Sequence, residues 1–393
     1  MEQFEILAVI PARGGSKGIP RKNLQLLAGM PLVAHTIEQA RTARSIRRVV
    51  VSTDDPEIAK TARHYQAEVV WRPAEISGDD ASSESALLHT LDALRQSEGY
   101  QPDLLVFLQC TSPLTLAVDI DGTVQMLLDD NADSALTVRP FHYYLWQIGA
   151  DGSAQGINHD KRIRPLRQER EAQYLETGAV YVMRVPGFMA ARHRFFGKTA
   201  LYSIPLERCL EIDEPIDLRI AEVLMQENCR KERSKLLPNP VSALVLDFDG
   251  VLTDNRVLVS QDGSEAVVCD RSDGWGINRL KNTGLPILIL STEQNRVVQA
   301  RADKLGIPCR HGIGDKKSAL QAWLDELKLA AANVVYVGND ENDLPCMSLA
   351  GCAVAVADAH PSVLASADFV LSNPGGHGAV REICDLIGEA CRK

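Results

Sequence analysis

Three short strings hold the residues most suited to chemistry. Residues 10–23 read IPARGGSKGIPRKN, with Gly14, Gly15 and Gly18 set among four cations, Arg13, Lys17, Arg21 and Lys22. Glycine lets the backbone turn tightly and approach a ligand closely. With clustered Lys and Arg, such a loop is a cradle for a polyphosphate, backbone N–H groups and side chains sharing the charge. It is neither a Walker A loop, because no GK[ST] ends it, nor a GxGxxG. Most Gly/Lys loops are solvated turns, but this chain carries a net charge of -10, so a local basic cluster needs a reason. The second string is Glu211-Ile212-Asp213. Two acids one residue apart on an extended segment point the same way and can share a hard cation. E-x-D is common by chance, so that signal is weak alone. The third string, VSALVLDFDG, runs an apolar segment into Asp247 and Asp249, with Gly250 for the turn.

The elements that must position these strings follow an alternating pattern. Apolar segments predict strands over 5–10, 48–52, 68–70, 104–108, 135–138 and 179–183. Helical patterns cover 31–42, 56–64, 83–95 and 120–128. This βαβα rhythm predicts a mostly parallel sheet with helices on both faces, and ligands at the carboxyl ends of its strands. A helical pattern through Leu218, Ile220, Val223 and Leu224 then runs into ENCRKERSK and LPNP. That composition shift, with Pro238 and Pro240, marks a boundary. We divide the chain into a first domain at 1–228, a linker at 229–240 and a second α/β domain at 241–393. Within the second, residues 256–269 read as a hairpin around Asp262-Gly263.

At 393 residues the chain can bury two or three cores, and 45% hydrophobic with 24% charged residues is ordinary for a globular protein. The acidic balance argues against nucleic-acid binding. Nine cysteines form no CxxC pair and no zinc spacing, which fits a reducing cytoplasm. The start, MEQFE, has no signal-peptide shape, and no apolar run is long enough to span a membrane. A cytoplasmic location is expected.

The string at 10–23 resembles the signature of the CMP-N-acylneuraminate (sialic acid) cytidylyltransferases, and further strings extend the resemblance over residues 5–222. They are VSTDD (51–55), RPAEISGDDASS (72–83), LQCTSPL (108–114), TGAVYV (177–182) and Phe195-Phe196. The resemblance implies a nucleotide-diphospho-sugar-transferase-like, Rossmann-type mixed sheet. It implies nucleotide contacts from Ala12, Arg13, Gly14, Gly15, Ser16, Lys17, Lys22, Asn23, Arg72, Ala81 and Ser83. It implies acceptor-sugar contacts from Gln109, Tyr181, Phe195 and Phe196. Core packing is the bland alternative for the two phenylalanines. The metal motif of such enzymes usually reads D-x-D, so here Asp213 carries more weight than Glu211. At Leu175 some bacterial relatives have a substrate-binding Arg; Arg167 and Arg170 are the replacements nearest in sequence. The implied reaction is in-line attack of an anomeric hydroxyl on the α-phosphorus of CTP. Arg13, Ser16, Lys17 and Lys22 neutralise the triphosphate, Arg13 and Lys22 being the catalytic cations, and Mg²⁺ assists the leaving pyrophosphate.

DFDGVLTD (247–254) resembles the nucleophile motif of the haloacid-dehalogenase-type phosphatases. In that resemblance Asp247 attacks phosphorus, Asp249 protonates the leaving alkoxide and later activates water, and Ser291 and Lys316 hold the phosphoryl oxygens, with Lys317 the rival for Lys316. Asp247, Asp249, Asn339 and Asp340 would hold Mg²⁺, for which Mn²⁺ can substitute, with Asp343 beside them. The strings DRSDGWGI (270–277) and GGHGAVRE (375–382) resemble the phosphatases of octulosonate 8-phosphate and of sialic-type sugar 9-phosphates. Asn339 stands where an Asp ligand is common. No room exists between Asp247 and Ser291 for a cap domain, so the second domain is a cap-less Rossmann-like unit. The resemblance implies a tetramer through this domain, its Gly-rich tail reaching a neighbour's site, and a dimer through the first. The leading expectation is a bifunctional enzyme that dephosphorylates a nine-carbon 2-keto-3-deoxy sugar 9-phosphate and activates the free sugar with CTP. The alternatives are a non-catalytic tetramerisation module at the C-terminus, or 3-deoxy-octulosonate, legionaminate or pseudaminate as the sugar.

Overall fold

The computed structural model describes residues 4–16, 18–78, 81–163 and 166–391. Its contacts divide the chain into two compact units, residues 1–226 and 227–393.

The first unit strings together β1 (Ile6–Pro11), β2 (Leu26–Leu27), β3 (Met30–Pro31), α1 (Leu32–Thr42), β4 (Arg48–Thr53), α2 (Pro56–His64), β5 (Glu68–Trp71), α3 (Ser83–Glu98) and β6 (Leu104–Leu108). There follow α4 (Ala117–Asp129), β7 (Ser134–Phe141), the hairpin β8 (Trp146–Ile148) and β9 (Ala154–Gly156), β10 (Gln173–Arg184), α5 (Val185–Ala191), β11 (Thr199–Ser203) and α6 (Pro215–Leu236). Seven strands form one sheet in the order β11-β7-β10-β6-β1-β4-β5. β1 runs parallel to β4 and β6, whereas β10 lies antiparallel to β6 and β7, so the sheet is mixed. The central strands are continuous Val, Ile and Leu runs because both faces are covered. Side chains such as Ile10, Val51 and Val106 pack on one face, Leu7, Val50 and Phe107 on the other. Asp55 caps α2 by accepting from the Glu57 and Ile58 N–H groups, and Ser82 caps α3.

The stretch read as a linker is helical over 229–236, the end of α6. Its Arg, Lys and Glu are good helix formers, and Arg230 and Arg233, which belong to the second unit, pair within that unit with Glu389 and Glu382. Helix then stops just short of Pro238.

The second unit contains β12 (Ala243–Leu246), the hairpin β13 (Thr253–Val259) and β14 (Glu265–Cys269), α7 (Arg271–Lys281), β15 (Ile287–Leu290), α8 (Val297–Leu305), β16 (Cys309–Arg310) and α9 (Lys316–Leu327). It closes with β17 (Val334–Gly338), α10 (Leu344–Met347), β18 (Cys352–Ala355), α11 (Pro361–Ser366), β19 (Phe369–Val370) and α12 (Ala379–Ala390). Its sheet is wholly parallel, ordered β16-β15-β12-β17-β18-β19. Only the hairpin, α7 and β15 itself separate Asp247 from Ser291, so there is no cap. The Gly-rich tail has a place within its own chain. Gly376 N–H donates to the Val251 carbonyl at 3.0 Å and Gly375 N–H to Asp358 Oδ1 at 2.9 Å. It therefore packs on its own chain's nucleophile loop. Glycine allows this, since a Cβ on Gly375 would stand 1.8 Å from the Gly250 carbonyl oxygen.

Candidate active sites

In the first unit the loop after β1 meets the segments after β5 and β6 around a cavity of about 300 Å³. Of the nucleotide-loop candidates, Arg13, Gly15, Ser16, Lys22, Asn23, Arg72, Ala81 and Ser83 line it, as does Gln109 from the acceptor set. Lys17 lies outside the described residues. Ala12 and Gly14 are not on the cavity wall. Ala12 is buried behind it, its N–H donating to the Ser52 carbonyl, and Gly14 N–H donates to Asp54 Oδ1 at 3.0 Å. A Cβ on Gly14 would meet Asp55 Oδ2 at 2.7 Å, so glycine there is a packing need. Asn23 Nδ2 donates to the Arg13 carbonyl at 3.0 Å, and Arg13 itself reaches the Gly78 carbonyl at 2.8 Å. The loop is thus braced in shape before any ligand arrives.

Lys22 joins this loop to the acidic motif. Its Nζ donates to the Ile212 carbonyl at 2.7 Å and to Asp213 Oδ1 at 3.2 Å. Glu211 accepts from the Thr111 hydroxyl at 3.3 Å, and burial, then Asp213, push its carboxyl pKa up. Two hard oxygen donors of like charge, one of them reluctant to ionise alone, suit a divalent cation.

The acceptor candidates are only partly gathered. Tyr181 is buried, stacked on Phe107 with centroids 5.2 Å apart, and its hydroxyl donates to Glu176. It therefore lies behind the wall whose surface is Phe107. Phe195 packs edge-on to Tyr181 at 6.0 Å, while Phe196 sits against Gly187 and lines a different cavity. Core packing explains Phe196: a bulky ring beside a glycine in α5 fills space. Arg170 is committed to the His142 carbonyl and to the Tyr144 ring, so it is not a free replacement at Leu175; the Arg167 side chain lies outside the described residues. Sequence reasoning missed Phe107, Ser82 and Thr111, which line the cavity. Phe107 was hidden inside an apolar run that reads only as a strand. Arg194 was also missed. Its guanidinium lies over Phe107 and Tyr181 and pairs with Glu84 at 2.7 Å.

In the second unit, Asp247 and Asp249 follow β12, Ser291 follows β15, Lys316 opens α9 and Asn339 follows β17. Carboxyl ends of parallel strands bring them together. Lys316 Nζ stands 2.8 Å from Asp247 Oδ1 and 2.8 Å from Asp343 Oδ1, all three buried. Burial opposes the Lys316 charge, but the two carboxylates outweigh it and raise its pKa. Burial and then Asp343 push the Asp247 carboxyl up, against Lys316. Asp249, half-buried, is pushed up to about 6 by burial and by Glu293. Ser291 Oγ accepts from the Glu293 N–H at 3.0 Å. Lys317, the rival cation, is absent from this network.

The metal candidates separate into distinct roles. Asp343 is saturated: Oδ1 accepts from Lys316 and Tyr336, Oδ2 from the Asn339 and Asp340 N–H groups. It is an anchor and not a spare ligand. Asp340 is exposed and caps residues 341–343. Asn339 Oδ1, by contrast, is buried without a partner. Gly250 lets Asn339 come this close, for a Cβ there would fall 1.9 Å from Asn339 Nδ2. An orphaned buried acceptor beside Asp247 is what a divalent cation would satisfy. Among the described residues no three His, Cys, Asp or Glu side chains gather to hold an ion. A cation here must also draw on Asn339, backbone carbonyls or phosphate oxygens.

A braced cation-rich cleft on a mixed sheet and a buried Asp-Lys-Asp constellation on a parallel one define an enzyme of phosphoryl chemistry with two sites. A family model described as Cytidylyltransferase matches residues 7–228, and one described as haloacid dehalogenase-like hydrolase matches residues 310–383. The chain is 32% identical over 395 residues to N-acylneuraminate cytidylyltransferase A of Danio rerio, covering 97% of this chain and 88% of that one. Its C-terminal part is 38% identical over 148 residues to 3-deoxy-D-manno-octulosonate 8-phosphate phosphatase KdsC of Escherichia coli K12, 37% of this chain and 79% of that protein. A solved 3-deoxy-D-manno-octulosonate 8-phosphate phosphatase from Yersinia pestis is 36% identical, covering 41% of this chain and 86% of that one, with a TM-score of 0.39. The chain belongs to the cytidylyltransferase family, and its second half carries a haloacid dehalogenase-like hydrolase region.

Proposed function

We propose that the first unit transfers CMP from CTP to the anomeric hydroxyl of an N-acylneuraminate-type nine-carbon acid sugar, releasing pyrophosphate. The second unit would hydrolyse the 9-phosphate of the same sugar, the preceding step. One observation carries the first half: the loop cations Arg13 and Lys22, Arg72, Ala81, Ser83 and Gln109 converge on one cavity. Arg13, Ser16 and Lys22 face the triphosphate, and their bracing means little reorganisation as charge develops. Gln109, on the same wall, orients the acceptor. Glu211 and Asp213 would hold Mg²⁺, which would neutralise charge at the phosphates, and Lys22, tied to Asp213, links that site to the loop.

In the second unit Asp247, held by Lys316 at 2.8 Å, attacks phosphorus and becomes an aspartyl phosphate. Asp249 holds its proton up to a pH of about 6 and delivers it to the leaving alkoxide, then takes one from the attacking water. Ser291 and Lys316 hold the phosphoryl oxygens. Asp247, the Asp249 loop and Asn339 would hold Mg²⁺, or Mn²⁺ in its place, which would supply electrostatic stabilisation there. The buried, unpartnered Asn339 oxygen supports an active site despite the amide. We further infer a cytoplasmic enzyme, consistent with nine free thiols, and a tetramer through the second unit with a dimer through the first.

Phosphate release from N-acetylneuraminate 9-phosphate, measured beside CTP-dependent pyrophosphate release from the free sugar, tests this. Asp247→Asn is expected to lower the first at least a thousandfold and leave the second intact. Absence of phosphate release from the wild type would make the second unit a scaffold. The similarity to the octulosonate phosphatase favours one second reading, so octulosonate 8-phosphate is the competing substrate. Faster turnover of that compound would replace the nine-carbon assignment.

A further inference from the structure

We propose that the second unit carries a further nucleotide site, between α7 and α8, outside the phosphatase constellation. A cavity of about 590 Å³ opens there, within the range that holds a nucleoside phosphate. Four cations line it, Arg271, Lys281, Arg301 and Lys304, against one acid, Asp303. In a chain of net charge -10 that excess is local. Arg271 and Lys304 are exposed and have no ion-pair or hydrogen-bond partner among the described residues. Arg301 donates from one terminal nitrogen to the Asp270 carbonyl at 3.0 Å, but its Nε is buried without a partner. Asp303 is already engaged, accepting from Gln299 at 2.7 Å. Trp275 stands at the same cavity with 59% of its surface exposed.

The pairing of features selects the ligand class. A phosphate alone would need the cations but not an exposed indole, whose uncovered surface is unfavourable in water. An apolar ligand would need the indole but not unpaired cations. A flat ring joined to a phosphate uses both, the ring stacking on Trp275 and the phosphate taking Arg271 and Lys304. Cytidine nucleotides are the members of that class a cytidylyltransferase handles, so the choice of base rests on family membership while the site itself does not. None of Asp247, Asp249, Ser291 or Lys316 lines the cavity.

Calorimetric titration of the full chain with CMP tests the assignment. Trp275→Ala and the double variant Arg271→Ala/Lys304→Ala are each expected to weaken one CMP site per chain roughly tenfold or more, because stacking and phosphate contacts are each lost. CTP-dependent pyrophosphate release and the melting temperature should stay at wild-type values, since these side chains are exposed. Unchanged CMP binding in both variants would overturn the proposal. Pyrophosphate binding as tightly as CMP, and insensitive to Trp275→Ala, would also overturn it by reducing the site to a basic patch.

Discussion

Asp343 uses both carboxylate oxygens, receiving Lys316 and Tyr336 on one and two backbone N–H groups on the other. It thereby fixes the cation that holds Asp247 and the backbone that presents Asn339. Asp343→Asn would turn a donor toward groups that need an acceptor and leave Lys316 short of one charge. Breaking one partner of a buried ion pair costs on the order of 3–5 kcal/mol. The C-terminal unfolding transition should therefore shift down by that order and phosphate release should fall at least a hundredfold, with cytidylyl transfer unaffected. Guanidinium titration followed alongside the two assays checks this; unchanged phosphatase would refute the anchoring role. The motif GNDEND put Asn339, Asp340 and Asp343 near one another in the sequence. It could not assign their roles, because which oxygen is saturated depends on partners from α9 and β17.

At the scale of elements, the strap from 374 to 378 presses on the nucleophile loop. A Cβ at Gly376, whose φ is +66°, would lie 2.4 Å from the Asp254 nitrogen. Gly375→Ala or Gly376→Ala should displace the loop, costing roughly 1–3 kcal/mol through overpacking and dropping phosphatase kcat more than KM. Steady-state kinetics of each variant reads this; wild-type kcat would show the loop indifferent to the strap. Behind the strap, Asp273 of α7 accepts the Arg381 N–H in α12 at 2.7 Å, while its other oxygen is buried without a partner. Burial, and then the neighbouring Asp270, push its carboxyl from 3.8 to about 6. A pKa raised on folding favours the protonated native state. The contribution is fully present below about pH 4 and is lost as pH rises through about 6. Asp273→Asn should then stabilise the second unit by up to about 3 kcal/mol at pH 8 and by nothing at pH 4. Thermal unfolding at the two pH values decides, and a difference independent of pH would show the carboxyl titrates normally.

At the scale of the molecule, the β13–β14 hairpin leaves Val257, Leu258, Val259 and Val268 exposed. Two strands alone are marginal in water, so this apolar surface calls for a cover. The second copy of the chain proposed above would supply that cover. Leu258→Asp with Val268→Asp should lower the mass seen by sedimentation and leave pyrophosphate release intact; a monomeric wild type would remove the premise.

The sequence alone determined the two sheets, the strand ends and most of the loop that forms the cleft. Buried parallel strands need continuous apolar runs, and close backbone approach needs glycine, so both leave local marks. Asp247, Ser291 and Lys316 were legible for a similar reason, each standing at the end or start of a regular element, and Asp249 through its spacing from Asp247. Only the tertiary structure decided that Phe107 lines the cavity, that Phe196 fills the space beside Gly187, that the Gly-rich tail packs on the nucleophile loop, and that Asp343 is saturated. Those are questions of which neighbour, among residues far apart in sequence, takes the last hydrogen bond or the last free volume, and no local pattern carries that information.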